Sequence, residues 1–268
     1  RYSNFELGKT KINTILIVKI LVKLSFIIPK FIVIVSKKAK KFYEIEGYDK
    51  NKLIFIPNGY DLSILKINKT QKIDFKKKIK IKNFLPLIGN VARYNPKKDH
   101  LNLIRALSII KERNINFFCV LVGSNINKNN TILISEIRRL KLSANIKLLD
   151  QTDDISKVMN GLDIYIQSSS YGEGFPNVVA EAMSCGTPCI VTDVGDASYI
   201  LGKTGWVVPP KSPKRLADAI EKALDEVGSK SWKIRCNKAR LRIKTNFDIK
   251  LMLKSYNKLW NIAYSKTN

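Results

Sequence analysis

One histidine, His100, stands in a chain of 268 residues, and the four cysteines are Cys119, Cys185, Cys189 and Cys236. Protein zinc sites are built from clusters of these two residue types. So few of them, with no Asp-x-Asp run beside them, leave no placed metal site. The cysteines read instead as buried free thiols of a reducing compartment. Acidic residues are scarce too: 22 Asp and Glu face 48 Lys and Arg, a net charge of +26. That imbalance suits anionic partners such as a nucleotide or a membrane surface. Most of it also follows from a composition crowded with Lys, Ile and Asn together. A nucleic-acid binder would show a basic stripe interleaved with aromatics, or a recognised module, and the chain shows neither. It also lacks the ~20 clean apolar residues of a spanning helix. The nearest approach, Ile15 to Ile28, is broken by Lys19 and Lys23 and stopped by Pro29. That stretch reads as an amphipathic helix, packed on a core or lying on an anionic membrane surface. With no signal-peptide pattern, a cytoplasmic protein is expected, at most peripheral at the inner face of the plasma membrane.

A hydrophobic share of 45% is that of an ordinary globular protein. The length allows one large domain, or a complete domain plus part of another. Residues 31–35 read as a buried strand, Ser36 as the cap of a basic helix, and residues 53–56 as a second strand. Residues 61–83 turn polar and Lys-rich without an apolar period, and read as a linker. A new series then begins. Strands are expected at 87–92, 117–122, 146–149, 163–166 and 189–191, alternating with helices at 99–113, 131–142 and 154–160 and a helix before Cys189. Such alternation predicts a parallel, doubly wound sheet. Residues 212–227 and 248–264 read as closing helices.

The run Gly172-Glu173-Gly174-Phe175-Pro176-Asn177-Val178-Val179-Ala180-Glu181 carries the chemistry. Gly172 and Gly174 permit a close-approach backbone. Pro176 suits a first helical position. An apolar helix then runs through Val178, Val179, Ala182 and Met183 to a stop at Gly186. A glycine-flanked loop feeding a helix N-terminus is an anion site. Two carboxylates beside it, Glu173 and Glu181, suit a hydroxyl-rich ligand, because each can accept paired hydroxyl hydrogen bonds. The combination reads as phosphate plus sugar. Arg93 and Lys98 follow the first strand of the new series, at the strand end where open α/β sheets bind ligands. Two cations there suit a diphosphate leaving group; the plain alternative is a solvated basic loop.

The span from Glu173 to Pro188, followed by Thr192-Asp193-Val194-Gly195, resembles the donor-binding signature of family-4 retaining glycosyltransferases (glycosyl transferases group 1). The resemblance implies a GT-B type α/β fold. It would comprise a partial N-terminal, acceptor-side Rossmann-like domain over 1–60 and a linker over 61–83. A complete C-terminal Rossmann-like donor domain with a parallel sheet would follow over 84–247, and 248–268 would cross back as a helix. It implies that Arg93 and Lys98 clamp the donor diphosphate, Glu173 meets the donor sugar and Glu181 grips the ribose. Gly174, Phe175, Pro176 and Asn177 would offer backbone to the phosphates or sugar. The family usually has glycine where Asp99 stands. The family's sugar-contacting histidine would lie before this chain's start, so His100 is expected to be structural. Asn58-Gly59-Tyr60-Asp61 resembles the family's turn into the linker.

The expected activity is metal- and cofactor-independent hexosyl transfer from a nucleotide diphosphate sugar, a UDP-sugar by expectation. The acceptor would be a saccharide or a lipid-linked acceptor of surface-polysaccharide or glycolipid assembly. A glycoside hydrolase using Glu173 and Glu181 would have no phosphate to hold. A nucleotide-sugar epimerase of the same fold, or a non-catalytic nucleotide-sugar binding fragment, are the alternatives. With the N-terminal start expected to be missing, these 268 residues should bind donor weakly and transfer little.

Overall fold

The computed structural model describes residues 12–81 and 85–265. The expected boundary between residues 83 and 84 lies outside the described residues. Helix α1 (Ile12–Ser25) precedes strand β1 (Ile32–Ile34), helix α2 (Lys37–Ile45) and strand β2 (Leu53–Phe55). β1 and β2 pair in parallel as a sheet of their own. Val18, Ile34, Ala39, Tyr48 and Leu53 form the small core there. Around them α1 leaves Leu16, Ile17, Ile20 and Leu21 exposed, with Lys19 and Lys23 on the same helix.

The larger unit contains strands β3 (Leu87–Val91), β4 (Phe118–Val122), β5 (Ile146–Leu149), β6 (Ile164–Gln167), β7 (Cys189–Thr192) and β8 (Trp206–Val208). All pairs are parallel, in the order β5-β4-β3-β6-β7-β8. The expected doubly wound sheet is therefore present, and residues 32–55 stay outside it. β3 leads outward to β4 and β5, whereas β6 leads the other way to β7 and β8. The β3–β6 junction is thus the switch point, where diverging connections leave a crevice beyond the carboxyl ends of the strands. Helices α4 (His100–Glu112), α5 (Thr131–Arg139) and α9 (Pro213–Glu226) cover one face of the sheet. The other face packs against α6 (Ile155–Gly161), α7 (Asn177–Ser184), the short α8 (Ala197–Leu201), itself not anticipated from sequence, and two longer helices also not anticipated.

The first of these is α3 (Lys69–Lys78), inside the segment read as a linker. Phe75 is only 3% exposed and packs directly on Gly161: a Cβ there would sit 2.1 Å from Phe75 Cδ1. Ile79 and Ile81 follow it into the same core. Lys72 and Lys76, which look like solvent-facing lysines, reach Asp163 at 2.6 and 2.8 Å, and Asp163 also accepts from the Leu87 amide at 2.8 Å. This segment is part of the sheet's packing. Its apolar stripe is one residue wide, so lysines drown the period.

The second is α10 (Lys230–Asn246), whose Trp232, Ala239 and Ile243 are buried. Arg240 donates to the Ser184 carbonyl at the end of α7 and to Leu65 O. Finally α11 (Ile249–Ser265) starts beside the 57–60 turn. Tyr60 N donates to Phe247 O at 2.9 Å, Ile249 N donates to Tyr60 O at 3.0 Å, and Lys30 Nζ donates to Ala263 O at 2.7 Å. Among the described residues no helix is long and apolar enough to cross a membrane. All four cysteines are free, and burial pushes the Cys185 thiol up to about 11.

Candidate functional site

Two loops leave the sheet at the switch point, one after β3 and one after β6. The first begins at Ala92, held by Ala92 N donating to Val122 O at 2.9 Å and Tyr94 N to Ser124 O at 2.8 Å. Gly123, with φ +152, is required beside it: a Cβ there would fall 2.2 Å from Ala92 O. Asn95 caps a single 3-10 turn, Pro96–Lys98, by accepting from Lys97 N at 3.0 Å. Asp99 then turns left-handed (φ 48, ψ 51) and its side chain accepts from Asn102 N, capping α4. The left-handed backbone accounts for the glycine usual at this position; aspartate tolerates it and adds a cap.

The second loop is stitched to the first. Ser168 Oγ donates to Lys98 O at 2.8 Å, and Ser170 N donates to Lys97 O at 2.8 Å. The side chains then meet across the crevice. Lys98 Nζ lies 2.5 Å from Glu173 Oε1, and Ser169 Oγ donates to that same oxygen at 2.6 Å. The Lys98 and Glu173 side chains are 24% and 11% exposed, so the pair is sheltered but reachable. Lys97 points elsewhere, 5.6 Å from the centre of the Tyr171 ring and against Gly172. Arg93 is exposed at the mouth of the first loop and makes no hydrogen bond or ion pair to a described residue.

Helix α7 opens at Pro176, which occupies the cap position just before the first helical residue. That is one residue earlier in the helix than its sequence suggests. Proline supplies no side-chain cap, so the first-turn N–H groups of Asn177 and Val178 receive no side-chain acceptor from it. Nothing lies within 4 Å of where a Gly174 Cβ would be. The side chains of Phe175 and Asn177 are committed to packing. Phe175 meets the Phe247 ring edge-on at 5.6 Å. Asn177 Oδ1 accepts from Asn58 Nδ2 at 2.7 Å and from the Tyr60 hydroxyl at 2.9 Å. Their backbone groups and the Asn177 Nδ2 amide, which donates to no described residue, remain for a ligand. Burial, with Glu181 nearby, pushes the Tyr60 phenol up, so it stays a donor.

Glu181 is half-buried on α7, and no described residue donates to its carboxylate. Burial alone raises its pKa. A carboxylate losing hydration with no protein partner is under-satisfied until a ligand supplies hydroxyls. His100 is 2% exposed and packs beside Tyr94. Burial, aided by the Lys98 charge, lowers its pKa to about 4, so it is neutral near pH 7. Among the described residues no group of three or more His, Cys, Asp or Glu side chains comes together to hold a metal ion. Ser168 and Ser169 carry little signal in the sequence. They follow strand β6 directly, a place where serine hydroxyls often tie loops, and that is their only signal.

A parallel doubly wound sheet with charged loops at its switch point defines the class: a Rossmann-like ligand-binding domain. The glycosyl transferases group 1 family matches residues 71–240, and the chain belongs to that family. EpsF of Bacillus subtilis (strain 168) is 30% identical over 145 residues, 54% of this chain and 37% of EpsF. The UDP-Gal:alpha-D-GlcNAc-diphosphoundecaprenol alpha-1,3-galactosyltransferase of Escherichia coli is 27% identical over 208 residues, 75% of this chain and 52% of that enzyme. The chain thus spans about half or less of these relatives' length. Among solved structures, Anabaena HepE in complex with UDP superposes with a TM-score of 0.83 at 21% identity, over 91% of this chain and 67% of that one. The fold is GT-B.

Proposed function

We propose that this chain carries the donor site of a retaining glycosyltransferase that moves a sugar from a UDP-sugar to a saccharide or lipid-linked acceptor. The single observation that carries this reading is the Lys98–Glu173 pair at the switch point, with Arg93 exposed on the same loop as Lys98 and unpaired among the described residues. Arg93, Lys98 and the open first turn of α7 form the positive wall that a departing diphosphate needs as its charge grows. Glu173 engages its protein partners through Oε1, which leaves Oε2 to accept a sugar hydroxyl. Glu181, whose carboxylate receives no hydrogen bond from a described residue, would accept from the ribose hydroxyls. Uridine as the nucleoside is supported by the UDP complex of HepE, and a lipid-linked acceptor by the E. coli relative. The exposed Leu16, Ile17, Ile20 and Leu21 with Lys19 and Lys23 suit an anionic membrane surface, at the cytoplasmic face of the plasma membrane.

Thermal-shift screening against UDP-, GDP- and ADP-sugars tests the reading. UDP-glucose or another UDP-sugar is expected to raise the melting temperature, with GDP- and ADP-sugars weaker. No shift with any nucleotide would remove the donor-site reading.

Arg93→Ala is expected to weaken UDP binding by roughly 1.5–3 kcal/mol, the worth of a hydrogen bond to a charged group. Uridine binding should barely change. Titration calorimetry with both ligands checks this; equal losses would make Arg93 structural.

A further inference from the structure

Helix α2 begins with two backbone donors that its own cap does not reach. Ser36 Oγ accepts only from Ala39 N, at 3.1 Å. Lys37 N and Lys38 N donate instead to Asp196, at 2.5 Å (Oδ2) and 3.0 Å (Oδ1), across sequence separations of 159 and 158. A carboxylate at a helix N-terminus both satisfies orphan donors and favours the helix dipole. Asp196 is 1% exposed, so water does not compete for these bonds.

The main chain of the same residue faces the other way. Asp196 N donates to Gly174 O at 2.8 Å. Gly195 before it is left-handed (φ +58) and pressed so closely that a Cβ would lie 2.5 Å from Glu173 O and 2.6 Å from Gly174 O. One short segment therefore grips α2 with a side chain and the Glu173–Gly174 loop with its backbone. Two further contacts keep the register. Lys38 Nζ lies 2.9 Å from Asp193 Oδ1, and Lys37 Nζ sits 4.0 Å above the Tyr199 ring. The Lys38–Asp193 pair is half exposed on both sides and adds little strength. The buried carboxylate is the stiff link.

We infer that Asp196 is a positioning residue that couples the docking of α2 to the donor loop. It fixes the carbonyls of Glu173 and Gly174, and through them the aim of the Glu173 carboxylate, according to where α2 sits. The inference rests on the donor reading of that loop. Coupling between two sites is reciprocal, so donor occupancy must also be felt at the first amides of α2.

Hydrogen exchange on the whole chain, with and without saturating UDP-glucose, reads this directly. UDP-glucose is expected to slow exchange in the segment 172–178, and also at the 37–39 amides, the latter by about fivefold or more, the lower end of ordinary coupling. In Asp196→Ala the first effect should persist and the second vanish, and UDP-glucose affinity should fall several-fold. Asp196→Asn, which keeps one acceptor oxygen, should fall between. Protection at 172–178 without any change at 37–39 in the unmutated protein overturns the inference and leaves the donor reading standing. It is equally overturned if Asp196→Ala keeps the response at 37–39. Protection at neither segment removes the donor reading, and this inference with it. The comparison within the unmutated protein decides the matter even if Asp196→Ala does not fold.

Discussion

Glu173→Gln is expected to lower turnover by about 10²-fold, the cost of removing one electrostatic contact used in the transition state, with donor affinity nearly unchanged. The carboxylate sits 2.5 Å from Lys98 and is anchored by Ser169, so its direction is set before any ligand arrives. Glutamine keeps the size and the hydrogen-bonding reach but loses the charge that follows a sugar ring as it becomes cationic. Lys98, released from its ion pair, remains available to the diphosphate, which is why binding should not suffer. Glu181→Ala should behave in the opposite way. Its half-buried carboxylate has no partner among the described residues. On the proposed reading its contribution would be made to the bound ribose, in ground state and transition state alike, so losing it should weaken binding without slowing chemistry. Steady-state kinetics with a UDP-sugar donor separate the two. If Glu181 governed turnover and Glu173 only affinity, the assignment of roles would be wrong.

Asp163→Ala should destabilise the protein by about 3–5 kcal/mol, the range for breaking one partner out of a buried ion pair. Asp163 lies at the amino end of β6, the far end of the strand from the donor loop. Its carboxylate serves Lys72, Lys76 and the Leu87 amide at once. Without it, the buried Lys76 ammonium loses its counter-ion and α3 loses its tie to the sheet. A loss of that size corresponds to a fall in melting temperature of about 10 °C for a domain of this size, with donor affinity retained in the protein that stays folded. A fall under about 2 °C would show that the lysines find other partners.

The same group sets an acid limit. Burial pulls the Asp163 pKa up, but the charges and hydrogen bonds of Lys72 and Lys76 outweigh it and the net shift is downward. A carboxyl with a lowered folded-state pKa stabilises the fold at every pH above its unfolded value, near 3.8 here. It loses that contribution as pH falls through the folded value. The stability difference between the native protein and Asp163→Ala should therefore be flat from neutral pH down to about pH 4 and shrink below it.

Much of the fold was legible because its signals are local. Strands of three to five residues with clear ends, helices with a wide apolar face such as Leu103, Ile104, Leu107 and Ile110, and the Gly172–Gly186 punctuation each act within a few residues. Such short-range signals also place Arg93, Lys98, Glu173 and Glu181 at strand ends and on α7. Helices α3 and α10 escaped because their buried stripes, Phe75 with Ile79 and Trp232 with Ala239 and Ile243, are narrow and set among lysines and arginines. Helix propensity alone does not raise such a stripe above the polar background.

Other features have no local signal at all. Lys97 and Lys98 are adjacent and chemically identical; only the seating of one loop on the other sends Lys98 to Glu173 and Lys97 to Tyr171. Asn177 reads as a residue offering its backbone to a ligand, and nothing local shows that Tyr60 and Asn58, 117 and 119 positions away, donate to its Oδ1. Asp196 carries no signal in the sequence, because the α2 amides it accepts from stand 159 and 158 positions away. By itself the sequence determined five of the six strands of the large sheet, the helices between the first four of them and the one before Cys189, their parallel arrangement and the residue types at the sheet's carboxyl edge, because period and turn chemistry act over a turn or two of chain. Only the tertiary structure decided which of those side chains meet. Their partners are 75 to 159 residues apart and become neighbours through closure of the sheet and the packing of its helices.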